Sequence, residues 1–258
     1  MSQSALLTIF SSGAAAPVPF DPVSMFAGGL NGWLFNGAAD QSDFLQSSGG
    51  SVAGDGDPLG YIEDLSGNAN NIAQTTGGSK TVCNIAGGIR ALKGTSAKYM
   101  DVTLADPIVG ERTAAYAIRI NSALVGVVYP LLMSVSGGYD FVYHSGGGVN
   151  SGTVGDNGAG VGNVTCADTG QTMFVVMKKI NTAGTWTVQV SVYSASGTLI
   201  DEDTFASSGS STITATQIGY PVANDTFWVP FHMCVEGVAD TTDLLTYLVD
   251  QFGAWSPT

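Results

Sequence analysis

Charge is what this chain has least of. Only 11 % of its 258 residues are charged, and 21 acids against 8 bases leave a net charge of −13 and a pI near 4.1. Such a field repels phosphate backbones and anionic lipid, so nucleic acid and membrane are excluded as partners. Cysteine is also scarce. Cys83, Cys166 and Cys234 are odd in number and widely spaced, with no C-x-x-C, which argues against a zinc site and a disulfide framework. Free thiols in a chain made in a reducing compartment fit that count. No apolar run approaches the roughly 18 residues of a membrane span. The first twenty residues lack the basic start of a signal peptide, so the expected route to any extracellular destination is not the secretory one.

Catalytic constellations are missing as well. The four glutamates, Glu63, Glu111, Glu202 and Glu236, include no alternating Glu-x-Asp-x-Glu strand. That is the pattern with which a curved sandwich aims two carboxylates into one cleft for glycoside hydrolysis. In "DEDTF", Asp201 to Phe205, consecutive acids point to opposite faces. There are two histidines, His144 and His232, and Cys234 lies two residues from the second on the same strand face. No serine-nucleophile elbow, P-loop or dinucleotide fingerprint occurs. The expectation is a protein that is not an enzyme and needs no cofactor.

What is present is apolar bulk and glycine. Hydrophobic residues reach 44 % and there are 35 glycines, a composition of short strands and tight turns. Residues 1–20 read as an extended arm, with Leu6, Leu7, Ile9 and Phe10 ahead of Pro17 and Pro19. Residues 21–258 read as a single domain. Trp33, Leu34 and Phe35 are core candidates, and a short strand is expected at Leu59–Ile62. "KYMDVTL", "TAAYAIRI", "VVYPLLMSVSG", "YDFVYHSGG", "TMFVVMKKI" and "TWTVQVSVYSASG" alternate as strands. The glycine-rich stretch 145–163 reads as a long surface loop within the domain. One helix is expected at the end, capped by Thr241 or Thr242, with Leu244, Leu245, Leu248 and Phe252 on one face and Gly253 as its stop. The architecture is a two-sheet β-sandwich.

The segment richest in potential chemistry is "GYIEDLSGNANNIAQ", residues 60–74. Asp64, Asn68 and Asn70 supply oxygens of the kind calcium accepts, though not in EF-hand order. The competing reading is an Asx-type turn in which Asp64 or Asn68 bonds its own backbone and Gly67 takes a positive φ.

"NGWLFNGAADQSDFLQ", "GDPLGYIEDLSGNANNIAQ", "IRALKGTSAKYMDV" and the closing "LVDQFGAW" together resemble the concanavalin A-like, laminin-G-like jelly-roll proteins of bacteriophages and prophages. The resemblance covers about residues 28 to 256. Gly56-Asp57-Pro58 and Asp64-Leu65-Ser66-Gly67-Asn68-Ala69-Asn70 match its motifs, except that Ala69 replaces the usual loop glycine and Asn36 stands where Asp is common. The resemblance implies a concanavalin A-like fold serving either as a virion structural protein or as a sugar-binding module.

The first option is an acidic, oligomeric capsid decoration protein, or a tail or fibre accessory, assembled in the host cytoplasm and resident in the virion. It would bind the major capsid or tail protein through the arm residues Leu6, Leu7, Ile9 and Phe10. The second is a lectin-like module presenting Tyr139, Tyr143, Tyr220 and Trp228, with Trp186 also available, to a host-surface glycan. A third, polysaccharide hydrolysis on the same fold, lacks its carboxylate motif. Structural calcium at Asp64, Asn68 and Asn70 accompanies any of them as an option.

Overall fold

The computed structural model describes residues 19–39, 43–94, 98–120, 127–135, 138–145, 151–156, 160–165, 170–207, 212–218, 220–221 and 226–257, with the backbone alone in those of 127–163, at 165 and in 220–221. The expected arm residues Leu6, Leu7, Ile9 and Phe10 lie outside the described residues, as does Cys166.

Five short strands come first: β1 Gly32–Asn36, β2 Phe44–Leu45, β3 Pro58–Leu59, β4 Tyr61–Ile62 and β5 Ile72–Ala73. The middle block holds β6 Thr81–Ala86, β7 Ile89–Gly94, β8 Met100–Val109, β9 Arg112–Ile120, β10 Val127–Val135, β11 Gly138–Ser145, β12 Ser151–Asp156 and β13 Gly160–Thr165. The last block is β14 Thr172–Thr182, β15 Thr185–Tyr193, β16 Leu199–Ala206, β17 Thr212–Ile218, β18 Tyr220–Pro221 and β19 Phe227–Glu236, followed by helix α1, Thr242–Phe252.

These strands form two antiparallel sheets. The first runs β16-β15-β14-β9-β19-β7-β6-β3, with β1 also paired to β19. The second runs β13-β12-β11-β10-β17-β8-β5-β4-β2, with β18 beside β10. The all-β, two-sheet jelly-roll sandwich with a C-terminal helix is therefore the observed architecture.

Strand alternation builds the core. Ala114, Tyr116, Ile118, Val175, Met177, Val188, Val190 and Val192 of the first sheet face Met100, Val102, Ile108, Ile213 and Ile218 of the second. The opposite face of the first sheet is apolar too, because α1 lies on it. Leu34, Ala117, Phe174, Phe231, Met233 and Val235 meet Leu244, Leu248 and Phe252 there. Strand β19 is thus buried on both faces, which explains why Phe227 to Val235 are buried without a break and why all but His232 are apolar. Small residues at Ala115 and Ala117 give the helix room to approach.

The helix start differs in one respect from the expectation. Thr241 occupies the cap position but makes no side-chain cap bond; Asp240 Oδ1 instead accepts the Thr242 N–H at 2.9 Å and the Thr242 hydroxyl at 2.8 Å. A carboxylate at a helix N-terminus is favoured by the dipole as well as by the bonds. Leu245 is only half-buried, so the inward stripe is Leu244, Leu248 and Phe252.

Two further departures have plain physical causes. The stretch 145–163 is not one loop: its described residues carry β12 and the start of β13, which extend the second sheet beyond β11. Across that hairpin each valine faces a glycine: Gly152 pairs Val164, Val154 pairs Gly162 and Gly155 pairs Val161. Backbone pairing, with one branched side chain per rung, sustains strands that composition alone assigns to a loop. The expected strand Leu59–Ile62 is two strands. Pro58–Leu59 pairs β6 in the first sheet and Tyr61–Ile62 pairs β2 and β5 in the second, so the chain changes sheets at Gly60.

A Cβ at Gly60 would lie 2.3 Å from the Gln46 carbonyl oxygen, itself bonded to Lys80 Nζ at 2.8 Å. Gly60→Ala is expected to lower unfolding stability by about 2–3 kcal/mol, because backbone must shift in both sheets. Urea denaturation reads this; an unchanged midpoint would refute the crossing as a tight constraint.

Candidate functional site

The loop between β4 and β5 is built around one carboxylate. Asp64 Oδ1 accepts the backbone N–H groups of Leu34 and Ser66, both at 2.9 Å. Asp64 Oδ2 accepts the Ser66 hydroxyl at 2.7 Å and the Asn70 N–H at 2.9 Å. A second focus is the Gly32 carbonyl oxygen on β1, which receives Asn70 Nδ2–H at 2.7 Å and Asn68 Nδ2–H at 3.2 Å, with Ser66 Oγ 3.2 Å away. Asn70 is fully buried, and its Oδ1 accepts the Ala105 N–H of β8 at 2.9 Å. One side chain therefore joins β1 in the first sheet to β8 in the second. Asn68 also donates to the Leu30 carbonyl at 3.0 Å.

This donor set does not fit a calcium ion. Both oxygens of Asp64 already accept two hydrogen bonds each, and Asn68 and Asn70 present amide nitrogens to the focal carbonyl. A cation bound by these groups would displace donors that hold β1 in place. Among the described residues no three His, Cys, Asp or Glu side chains converge on a point. The Asx-turn alternative matches what the loop does, and Gly67 has the φ of +86° that reading requires.

Ala69 accounts for one departure from the family motif. Its φ is +58°, in the left-handed region where a β-carbon is strained and glycine is not. Asn36, the other departure, is buried and donates from Nδ2 to the Tyr247 hydroxyl at 2.6 Å, tying β1 to α1. A carboxylate at that position has no N–H to give.

The aromatic candidates separate. Tyr139, Tyr143 and Tyr220 lie on β11 and β18, with side chains outside the described residues. Trp186 is half-buried on β15. Trp228, expected as an open glycan platform, is only 3 % exposed. It packs with Ala91 and Trp255, and Lys93 Nζ stands 5.3 Å above its ring. Burial beneath the chain end removes it as a stacking surface.

The pairing at the centre of the core was not legible in the sequence. His232 is completely buried, its Nδ1 accepts Trp33 Nε1–H at 3.0 Å, and its Nε2 has no partner. Phe35, His232 and Tyr116 are cross-strand neighbours whose rings lie near-parallel, 5.9 and 6.0 Å apart. The partner Trp33 stands 199 positions away in the chain, which no local pattern shows. Burial lowers the His232 pKa to about 3 and raises that of Cys234 to about 12, so both are neutral at physiological pH and form no thiolate–imidazolium pair. Cys83 is likewise pushed up to about 11, chiefly by burial. In "DEDTF" the acids bond locally: Asp201 accepts the Glu202 N–H, Asp203 the Thr204 N–H, and Glu202 the Ser191 hydroxyl at 2.6 Å.

Two open grooves flank α1. One is lined by Pro19, Phe20, Asp243, Thr246, Tyr247 and Asp250, the other by Ser196, Gly197, Leu245, Thr246 and Val249.

Sandwich, helix and inward-turned loop define a jelly-roll domain whose polar loop serves the fold. No protein-family model matches the chain, and no curated protein matches its sequence. Solved structures match its fold. The binding domain of botulinum neurotoxin serotype D is 12 % identical, with 86 % of this chain and 55 % of that chain covered and a TM-score of 0.54. The structure described by the dependence of botulinum neurotoxin type C cell entry on two ganglioside molecules is 12 % identical, over 74 % of this chain and 48 % of that one, with a TM-score of 0.53. The botulinum neurotoxin DC binding domain in complex with SialylT is 12 % identical, over 83 % and 52 %, at 0.51. The likeness is one of fold, and the chain spans about half the length of these structures.

Three results are expected. Asp64→Ala leaves three backbone N–H groups without acceptors and costs about 3 kcal/mol in chemical denaturation, while the wild-type midpoint is the same in calcium and in chelator. A calcium-dependent midpoint would overturn the hydrogen-bond assignment. Ala69→Gly relieves the left-handed strain and stabilises by about 0.5–1 kcal/mol in the same assay; a loss of stability would contradict that geometry. His232 has a folded pKa below its ordinary 6.5, so the unfolded chain binds more protons. Its contribution to stability is complete above pH 6.5 and is lost as pH falls toward 3, by up to about 1.4 kcal/mol per pH unit. His232→Phe should show a constant offset above pH 6.5 and a shallower acid limb below it; an identical limb would exclude His232 as its source.

Proposed function

We propose that this chain is a non-enzymatic binding module and, more specifically, a structural protein of a bacteriophage virion. In this reading it is a capsid decoration protein or a tail or fibre accessory, assembled in the host cytoplasm. It docks as a homo-oligomer on the major capsid or tail protein through its N-terminal arm and sandwich surface. The observation that carries the reading is the inward commitment of the Asp64 loop, whose polar groups are spent on holding β1 and β8. Binding then falls to surfaces and not to a chemical cleft. The low charge, the acidity and the apolar arm agree with dense packing on a particle. The fold neighbours, described as neurotoxin binding domains, support the binding part of the reading.

A glycan-binding module is the second reading. It is favoured by the fold neighbours described with two ganglioside molecules and in complex with SialylT. For this chain the candidates are Tyr139, Tyr143 and Tyr220, with Trp228 set aside by its burial.

Purified protein mixed with particles that lack it should bind them in a sedimentation assay, and deletion of residues 2–18 should weaken that binding at least tenfold. Undiminished binding by the truncated chain would refute the role of the arm. Dose-dependent retention on a sialylated glycan array, lost on replacing Tyr139, Tyr143 and Tyr220, would move the assignment to the second reading. Release of reducing ends from polysaccharide would overturn both.

A further inference from the structure

We propose that the groove between Phe20 and α1 is the seat of the chain's own N-terminal apolar segment, Ala5–Phe10, in the free protein. The groove lies where the described chain begins. Pro19 and Phe20 form one wall, and Asp243, Thr246, Tyr247 and Asp250 of α1 form the other. Its aromatic floor is fixed in place. Phe20 meets Tyr247 edge-on at 6.1 Å, and the Tyr247 hydroxyl is held by Asn36. Across the ridge of Thr246 and Asp250, the second groove adds the half-buried Leu245 and Val249. The helix buries its inner stripe on the sheet, and Leu245 and Val249 pack partly against that core beside the Ser196–Gly197 turn, each keeping an accessible edge.

The segment fits this seat in reach, chemistry and charge. Residues 11–18 separate Phe10 from Pro19, and eight residues span up to ~27 Å. An eleven-residue helix is ~16 Å long, so the arm reaches any point along α1 and can double back. Leu6, Leu7, Ile9 and Phe10 offer four apolar side chains to Pro19, Phe20 and Tyr247. Residues 1–18 contain no carboxylate, so nothing in the arm is repelled by Asp243 and Asp250 at the rim, which would repel acidic segments from elsewhere. Because the arm leaves the domain at the groove wall, its local concentration there is on the order of millimolar, against micromolar for a second molecule. That difference selects the arm of the same chain over that of a neighbour. The seat concerns the free protein and holds whatever the arm meets after release.

The test is photo-crosslinking of the full chain carrying p-benzoylphenylalanine in place of the exposed Thr246, in an equimolar mixture of unlabelled and ¹⁵N-labelled protein. The expected product is a crosslink from position 246 to the peptide containing residues 5–10, found within chains of one isotope and reduced at least fivefold by Leu7→Asp with Ile9→Asp. Absence of arm crosslinks overturns the proposal, as does a yield indifferent to the two aspartates. Crosslinks that join labelled to unlabelled chains overturn it in favour of arms exchanged between copies. Because no particle or glycan is present, failure here is distinguishable from failure of the functional reading.

Discussion

Asp64 takes four hydrogen bonds, two on each oxygen, and one of them comes from the middle of β1. Among the described residues that strand pairs with β19 alone. On its other side Leu34 gives its N–H to Asp64 and its carbonyl accepts the Leu65 N–H at 2.9 Å. The loop thus covers an edge that would otherwise present unpaired backbone groups. Because Asn70 in the same loop reaches β8, closing the edge also fixes the spacing of the two sheets. Gly32 completes the arrangement. Its φ is +148°, and a Cβ there would lie 2.0 Å from the Cys234 carbonyl oxygen.

Much of this was legible in the sequence wherever the signal was local. Val188, Val190 and Val192 alternate and are core, and Trp33, Leu34 and Phe35 are buried as read. The Ser-Gly-Asn loop was recognisable as a turn because Gly67 takes a positive φ and Asp64 bonds the loop's own backbone. What escaped was set by partners distant in the chain. Nothing near His232 announces Trp33, and nothing near Trp228 announces that Trp255 and Lys93 cover it. The glycine-rich hairpin escaped for a different reason. A glycine has no side chain with which to declare a strand, and its valine complement lies on the next strand.

The same distinction separates chemistry from structure in this molecule. Several described side chains that in isolation suggest catalysis or metal binding are committed to burial or to hydrogen bonds within the fold. His232 is neutral beside three aromatic rings, the thiols of Cys83 and Cys234 stay protonated, and the asparagines turn their amides to one carbonyl. The surface beside α1 has the opposite character, combining half-buried apolar groups with carboxylates at the rim.

The attachment of β1 also has a mechanical consequence. A tension applied through the arm enters the domain at Phe20, passes the turn Pro22–Phe26 and arrives at β1. There the load divides. Part is carried in shear by the five-residue register with β19, and part crosses through Asp64 and Asn70 into the second sheet. A strand anchored to one sheet alone would peel away as its bonds failed in turn. This one must break bonds to both sheets together, so the domain resists pulling at the end from which the arm departs.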